Sequence, residues 1–325
     1  MIGVQLRKWR KKGGVAAALT APLLSVYEYF FDIYKVWRLK YVPDEAYVKQ
    51  EFYRKFRYPL PLSNPQTFNE KIHWRKLYER NPFFVHAADK YAVRDYVQKT
   101  IGREYLVPLL QVVEKETDLR FEDLPRCFVV KGSHDCGSTT IIRDKHQYGQ
   151  RRLRKNIRNI LRKRTYYTHL REWQYQDIPA RVLIEELLLD QNGQVPPDFK
   201  LHVFNQKTEM IQVANAQHTK NAMYSPEWER LPFSMYNPQP EKEVPRPPQL
   251  KKMIALAEAL AHPVHYVRVD LFNVDGRIYF GELTFTPNNG DAKFDPPEYD
   301  LYYGKKFTLD WRFHPDPQQQ RKHHI

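Results

Sequence analysis

The stretch from Tyr266 to Gly290 constrains this chain more than any other. Tyr266 to Phe272 alternates, Ile278 to Thr284 is β-branched and aromatic, and Asn273-Val274-Asp275-Gly276 lies between them, so the pattern predicts two short strands around a tight turn. With Val274-Asp275-Gly276 as a three-residue loop and Gly276 left-handed, Asn273 pairs with Arg277 and Arg268 falls opposite Glu282. Asp270 then lies diagonal to Glu282 on the same face. Diagonal neighbours sit roughly 7–8 Å apart at the backbone, close enough for carboxylates to converge on one ion. A slip of one residue turns the two acids to opposite faces. Two acids on one wall beside an arginine suit magnesium held against phosphates. The competing reading is an ordinary hairpin with solvated charges.

A chain of 325 residues can hold one large domain or several lobes and can bury a core. Prolines cluster at Pro196-Pro197, Pro238 to Pro248 and Pro296-Pro297, where they read as punctuation between segments. The net charge of +14 is local. Five basic residues (Arg7, Lys8, Arg10, Lys11, Lys12) stand in residues 1–14, eight more in residues 151–164, and neither stretch holds an acid. With no zinc-finger spacing and no RNA-binding aromatic signature, the charge does not indicate a nucleic-acid protein. It suits an anionic glycan, a phosphate-bearing substrate or an anionic membrane surface. Cys127 and Cys136 are the only cysteines, which argues for a reducing, cytoplasmic setting rather than a disulfide framework. They form no metal spacing and read as small packed residues.

The basic start precedes Val15 to Leu24, an apolar run resembling a short secretory signal but too short to span a bilayer. Tyr27, Phe30, Phe31, Tyr34, Trp37 and Tyr41 then recur at about helical spacing. An amphipathic helix on the inner membrane face and a helix packed on the protein body both fit this spacing.

Residues 46–124 read as mostly helical, with apolar spacing from Phe68 to Leu77 and a second start at Asp89-Lys90-Tyr91. Phe128 to Lys131 reads as a buried strand, Gly132 to Thr140 as a loop of small polar residues, and Ile141-Ile142 as a returning strand. Gly132, Ser133, Gly137 and Ser138 would let backbone N–H groups approach phosphate oxygens, and Lys131 would add a fixed charge. The loop is not a Walker sequence. Arg151 to Arg164 reads as a helix with Leu153, Ile157, Ile160 and Leu161 inward, its basic face solvated or ligand-binding, the former being simpler. Arg181 to Asp190, Phe199 to Phe204 and Glu209 to Val213 read as strands, and Pro247 to Ala261 as a helix with Leu250, Ile254, Ala257 and Ala261 inward. Helices first, then strands interrupted by single helices, is an α+β order.

Taken in sequence, these segments resemble the ATP-grasp superfamily. Lys90 resembles its first phosphate-binding lysine, and Lys131 its second, before a glycine-rich lid. Ile184-Glu185-Glu186-Leu187-Leu188 resembles the adenine hinge, which implies that backbone groups of Glu186 and Leu188 read the base, with Asp190 near the ribose. Asp198-Phe199-Lys200 resembles the segment whose basic residue faces the terminal phosphate. Arg268-Val269-Asp270 and Glu282-Leu283-Thr284 resemble the metal site of the D-alanine ligase branch. Within the superfamily, Phe68 to Ile72, Asp89 to Arg94, Arg171 to Tyr175 and Tyr279 to Phe285 resemble the teichuronopeptide-type (TupA-like) amidoligases of bacterial surface-polysaccharide clusters, over roughly residues 60–310. Thr284 stands where that branch has Asn, so the third metal ligand is open among Thr284, Asn288 and Asn289.

The resemblance implies an ATP-grasp fold: a basic segment (1–45), a helical region (46–124), a small lobe with the glycine loop (125–190) and a large lobe with the metal site (191–325). It implies ATP and Mg²⁺ as cofactors, and a carboxylate–amine ligation through an acyl-phosphate. The carboxylate would be that of a sugar or uronic acid, and the amine that of an amino acid or amino sugar. Lys90, Lys131 and Lys200 would offset phosphate charge, Arg268 would stabilise the oxyanion of the second step, and His218 and Lys220 would hold the acceptor or the transferring phosphate, unless they are surface residues. Arg171 and Trp173 would shape a sugar pocket, or Trp173 would simply pack. The alternatives are a glycosyltransferase, which usually carries an Asp-x-Asp absent here, and a non-catalytic polyanion-binding protein.

Overall fold

The computed structural model describes residues 41–163, 170–215, 219–316 and 318. The chain divides into two compact units, Met1–Tyr47 and Val48–Ile325. Of the first, residues 41–47 are described, and there the Tyr47 N–H donates to the Pro43 carbonyl at 3.0 Å. The signal-like run, the aromatic spacing from Tyr27 to Trp37, Arg164 and His218 lie outside the described residues. No helix among the described residues is long and apolar enough to cross a membrane.

All described strands belong to the second unit. After α1 (Asp44–Phe56), α2 (Phe68–Tyr78), α3 (Pro82–Ala88) and α4 (Val93–Thr100) come β1 (Leu109–Val113), β2 (Phe128–Gly132) and β3 (Thr140–Ile142). A short α5 (Lys145–Tyr148) and α6 (Gln150–Arg162) precede β4 (Val182–Glu186). These strands form an antiparallel sheet in the order β1-β4-β2-β3. Helix α6 packs Leu153, Ile157 and Ile160 against it, as the periodicity predicts, and leaves Arg151, Arg152 and Lys155 in solvent. Strand β1 arises inside the stretch expected to be helical. Its Leu-Leu-Gln-Val-Val sequence is too short to show a period, and pairing with β4 decides its conformation.

The second sheet contains β5 (Asp198–Phe204), β6 (Lys207–Ala214), β7 (Asn221–Tyr224), β9 (Tyr266–Val274) and β10 (Arg277–Thr284), in the order β10-β9-β5-β6-β7 and antiparallel throughout. A two-stranded ribbon joins β8 (Ser234–Met235) to β11 (Phe294–Asp295), and α7 (Leu250–Ala261) and α8 (Glu298–Lys306) complete the unit. One face of the five-stranded sheet is apolar: Phe199, Leu201, Val203, Val267, Val269 and Leu271 pack on Met253, Ala257 and Leu260 of α7. Alternation therefore turns Asp198, Lys200, His202, Arg268 and Asp270 to the other face.

The hairpin itself differs from its predicted register. Asp275 (φ 48°) and Gly276 (φ 83°) form a two-residue turn, and Val274, not Asn273, pairs with Arg277. Continued alone, that register would send Asp270 and Glu282 to opposite faces. A bulge at Gly281 corrects it. Beyond the bulge Glu282 lies directly opposite Asp270, and Thr284, rather than Glu282, opposite Arg268. The core shows the same parity change: Ile278 and Phe280 point inward before the bulge, Leu283 and Phe285 after it.

Helix α2 fixes the far end of this wall. Thr67 and Glu70 cap it reciprocally. Its Arg75 is fully buried: Nη1 donates to the Tyr266 carbonyl at 2.8 Å and the Phe285 carbonyl at 3.2 Å, and Nε to Glu79 at 2.7 Å.

A Cβ on residue 281 would lie 3.0 Å from the Asp270 carbonyl oxygen and 3.2 Å from the Phe272 ring. Gly281→Val is expected to destabilise the fold by about 1–3 kcal/mol through overpacking at the bulge, read as a lower urea midpoint. An unchanged midpoint would show that the bulge does not need glycine.

Candidate active site

A cavity of about 290 Å³ opens between the polar face of the five-stranded sheet and the four-stranded sheet. At one end its walls are apolar, with Val107, Val129, Ile141, Leu187, Leu188, Phe272 and Phe280. At the other stand Lys90, Lys131, Asp198, Lys200, Asp270 and Glu282.

The charged end is organised by Arg268. Its Nε and Nη2 hold the two oxygens of Asp270 at 2.6 and 2.7 Å, and the same Nη2 reaches Glu282 Oε1 at 3.1 Å. Thr284 Oγ1 accepts from Nη2 at 3.0 Å and donates to Glu282 at 2.9 Å. Lys200 donates to Asp270 at 2.8 Å and to Asp198. The second oxygen of Asp198 is buried and has no hydrogen-bond partner among the described residues.

These contacts set the protonation states. Burial alone would raise the pKa of Asp270, but Arg268 and Lys200 outweigh it and hold the carboxyl below its ordinary value. Burial opposes the charge on Lys200, yet Asp270 and Asp198 keep its pKa above the usual lysine value. Burial likewise opposes the charge on Arg268, which Asp270 and Glu282 reinforce. Asp198 is shifted upward, first by burial and then by Asp270. His202, fully buried beside them with Nδ1 2.9 Å from the Tyr266 hydroxyl, is pushed down to about 3 by burial and then by Arg268. It is a neutral imidazole at physiological pH.

On the opposite wall, Lys131 pairs with Glu185 at 2.6 Å, and Arg94 reaches the other oxygen of that carboxylate at 3.2 Å. The Glu186 N–H donates to the Pro108 carbonyl at 3.0 Å, so the sheet already uses it. Lys90 Nζ donates to the Asp135 carbonyl at 2.5 Å and its backbone N–H to the Ser133 carbonyl at 3.1 Å, which ties the lysine to the loop after β2. Within that loop Ser133 donates its hydroxyl to the Pro179 carbonyl at 3.1 Å and Ser138 to Asp135. Gly132 sits close to Asp135 and Ile160, and Gly137 is left-handed (φ 77°) and open.

The structure thus gathers Lys90, Lys131, Glu185, Glu186, Leu188, Lys200, Asp270 and Glu282 around one cavity, with Arg268 and Thr284 one row behind. It does not place Gly132, Ser133, Gly137, Ser138, Asp190 or Asn288 on the cavity lining. Asp190 caps its own turn, accepting the N–H groups of Asn192 and Gln194 at 2.8 Å each. Asn288 (φ 49°) lies in the turn Pro287–Gly290, whose Asn289 is bonded to buried Lys76 at 2.6 Å. Lys220 is half-exposed before β7, three strands from β9. Trp173 stacks on Phe84 and carries Arg80 over its ring, as a packing residue does. Asp198 is the charged cavity residue to which sequence reasoning gave no role. Its signal is the strand period, because it shares the face of Lys200.

Among the described residues no group of three or more His, Cys, Asp or Glu forms a metal cluster. Two facing carboxylates nonetheless fit magnesium, which takes one or two carboxylates and completes its shell with water and phosphate oxygens. The unpartnered Asp198 oxygen adds a further hard donor in the same cavity.

A family profile described as TupA-like ATPgrasp matches residues 70–308. No curated protein matches. Among solved structures, a D-alanine–D-alanine ligase of Bacillus anthracis complexed with ATP is 17% identical, with 62% of this chain and 54% of that chain covered and a TM-score of 0.38. The D-alanine–D-alanine ligase of Helicobacter pylori is 13% identical, with 75% and 68% covered and a TM-score of 0.41. The ATP-grasp ligase PsnB with its precursor peptide and AMPPNP is 11% identical, with 66% and 56% covered and a TM-score of 0.38. The chain spans about half the length of the first of these.

Because His202 is neutral in the fold and titrates near 6.5 when unfolded, the unfolded chain binds more protons below that pH. Its contribution is complete above about pH 6.5. It is lost as pH falls below that value, at up to about 1.4 kcal/mol per pH unit. His73, pushed down to about 4 by burial and then by Lys76, acts in the same sense down to its own pKa. Urea midpoints measured from pH 8 to pH 4.5 are expected to fall below pH 6.5, and less steeply in His202→Gln. Equal slopes would refute the assignment.

Proposed function

Since the chain belongs to the TupA-like ATP-grasp family, we infer that it is an ATP-dependent carboxylate–amine ligase whose nucleotide occupies the cavity between its two sheets. One observation carries this reading: an apolar slot leads to a pole where Asp270 and Glu282 face each other across the register while Lys90, Lys131 and Lys200 approach from other elements. The flat apolar end suits a purine. The carbonyl of Glu186 and the N–H of Leu188 would meet its edge, the Glu186 N–H being committed to the sheet. Asp198 would accept from a nucleotide hydroxyl or sit beside the ion.

The phosphates would exchange for existing pairs. Lys131 would leave Glu185, and Lys200 would turn from Asp198, each giving up a protein carboxylate for a phosphate oxygen. Asp270 and Glu282 would hold Mg²⁺, with Thr284, bonded to Glu282, as the nearby candidate for a third ligand; the ion would neutralise the outer phosphates. An oxygen of the substrate carboxylate attacks the terminal phosphorus, the bond to the bridging oxygen breaks, and ADP leaves. The amine then attacks the acyl carbon, the C–O bond to phosphate breaks, and the nitrogen loses a proton. Arg268, held rigid by two carboxylates, stabilises negative charge formed at this pole. We take the carboxylate to be that of a uronic acid in a bacterial surface polysaccharide, and the amine that of an amino acid or amino sugar, on the strength of the family.

ADP release is expected with panels of uronic acids and amines in the presence of Mg²⁺. Asp270→Asn and Glu282→Gln should each lower kcat at least about 100-fold, as loss of transition-state charge stabilisation does, while circular dichroism stays native. Full turnover in both variants would sink the metal assignment. Sugar transfer without ADP formation would favour a glycosyltransferase.

A further inference from the structure

Behind the nucleotide cavity lies a second hollow of about 780 Å³, separated from it by the strap Leu106 to Leu109. Val107 of the strap lines the cavity, whereas Leu106, Pro108 and Leu109 line the hollow. Strand β10 contributes Phe280 to the lining of the cavity and Tyr279 to that of the hollow. Three arginines line the hollow, Arg94, Arg103 and Arg277.

One of these charges, that of Arg94, is paired with Glu185, and the other two lack an ion pair among the described residues. Of the two acids on the lining, Asp95 is paired with Lys99 at 2.7 Å. The other, Glu104, folds back over Gly102, where an added Cβ would lie 2.4 Å from its carboxylate. Arg103 and Arg277 are exposed and make no ion pair among the described residues, Arg277 lying only over the Tyr279 ring at 5.5 Å. Arg94 is held in the strap wall, with Nη2 on the Val107 carbonyl at 2.9 Å and Nη1 on Glu185 at 3.2 Å. A guanidinium fork, two further cations and tyrosine rings in a volume of this size suit a sugar-sized ligand bearing an oxyanion.

We propose that this hollow binds a small molecule carrying a phosphate or carboxylate group, and that its occupancy reaches the nucleotide cavity through the ion chain Arg94–Glu185–Lys131. The chain crosses the strap in two contacts, since the Glu185 carboxylate is shared between Arg94 outside and Lys131 inside. An anion that engages Arg94 competes with Glu185 for its guanidinium. Glu185 then holds Lys131 alone, and Lys131 is less free to turn to phosphate. The ligand and ATP therefore weaken each other by a common factor. The coupling, though not the binding, rests on the nucleotide reading above.

The test uses the full chain and isothermal titration calorimetry with two probes, inorganic phosphate and glucuronate, each titrated without nucleotide. The control is the double variant Arg103→Gln/Arg277→Gln, which changes no residue of the nucleotide cavity. Wild-type binding of a probe that weakens at least tenfold in the double variant supports the site, and the probe that binds identifies phosphate or carboxylate as the recognised group. Equal affinity in both proteins, or no binding of either probe at millimolar concentration, overturns it. ATP is then titrated with and without the bound probe. A loss of ATP affinity of threefold or more in the wild type, absent in the double variant, supports the coupling; unchanged ATP affinity with the probe bound overturns it. Should ATP itself fail to bind the wild type, the nucleotide reading and the coupling fall together, while the probe titrations still decide the site.

Discussion

One guanidinium holds the charged wall together. Asp270 and Glu282 are like charges on facing strands, and Asp270 is nearly out of solvent. Without compensation such a pair would protonate or push apart. The shared Nη2 of Arg268 turns repulsion into a three-centre attraction, and Lys200 balances the second oxygen of Asp270 from the neighbouring strand. Positive groups already surround the two carboxylates that, on the function proposed above, would meet a cation and polyphosphate. The protein thus meets the cost of gathering charge during folding, when sheet pairing and core burial can offset it, and leaves little reorganisation for the moment of binding.

The same arrangement recurs across the cavity. Lys131 rests on Glu185, Lys200 on Asp198, and Lys90 on a loop carbonyl. On the function proposed above, a triphosphate would replace these partners, so that binding would be an exchange of partners rather than the desolvation of bare charge, and its specificity would lie in how many lysines a single ligand can satisfy together.

Strands β2 to β6, β9 and β10, their order of appearance and the inward faces of α6 and α7 are legible in the sequence because alternation and helical period are local properties. The acid pair falls on one face for a reason that the pattern shows only in part. A three-residue loop without a bulge and a two-residue turn with one produce the same parity, so two misread irregularities cancel. Gly281 gives no pattern that separates a bulge from an ordinary weak strand position, since what decides it is the fit of Phe280 and Leu283 to a core made elsewhere in the chain. Asp198 and Glu185 present the converse case. Their residue types are visible, but their roles depend on charges far away in sequence, Asp270 for Asp198 and Lys131 with Arg94 for Glu185. Strand β1 stays hidden because five residues cannot display a period, and only the waiting edge of β4 makes them extended.

Helix α2 comes long before the acidic strands in the chain, yet its Arg75 is sealed against the carbonyls of Tyr266 and Phe285 and lies between the rings of Phe84, Tyr266 and Phe307. The helical stretch is therefore no detachable module joined to a self-sufficient enzyme core. Severed from it, the sheet would be left with two naked backbone acceptors and a hollow at the root of its acidic strands. Any recombination that trades this stretch between relatives must carry the arginine and its socket together.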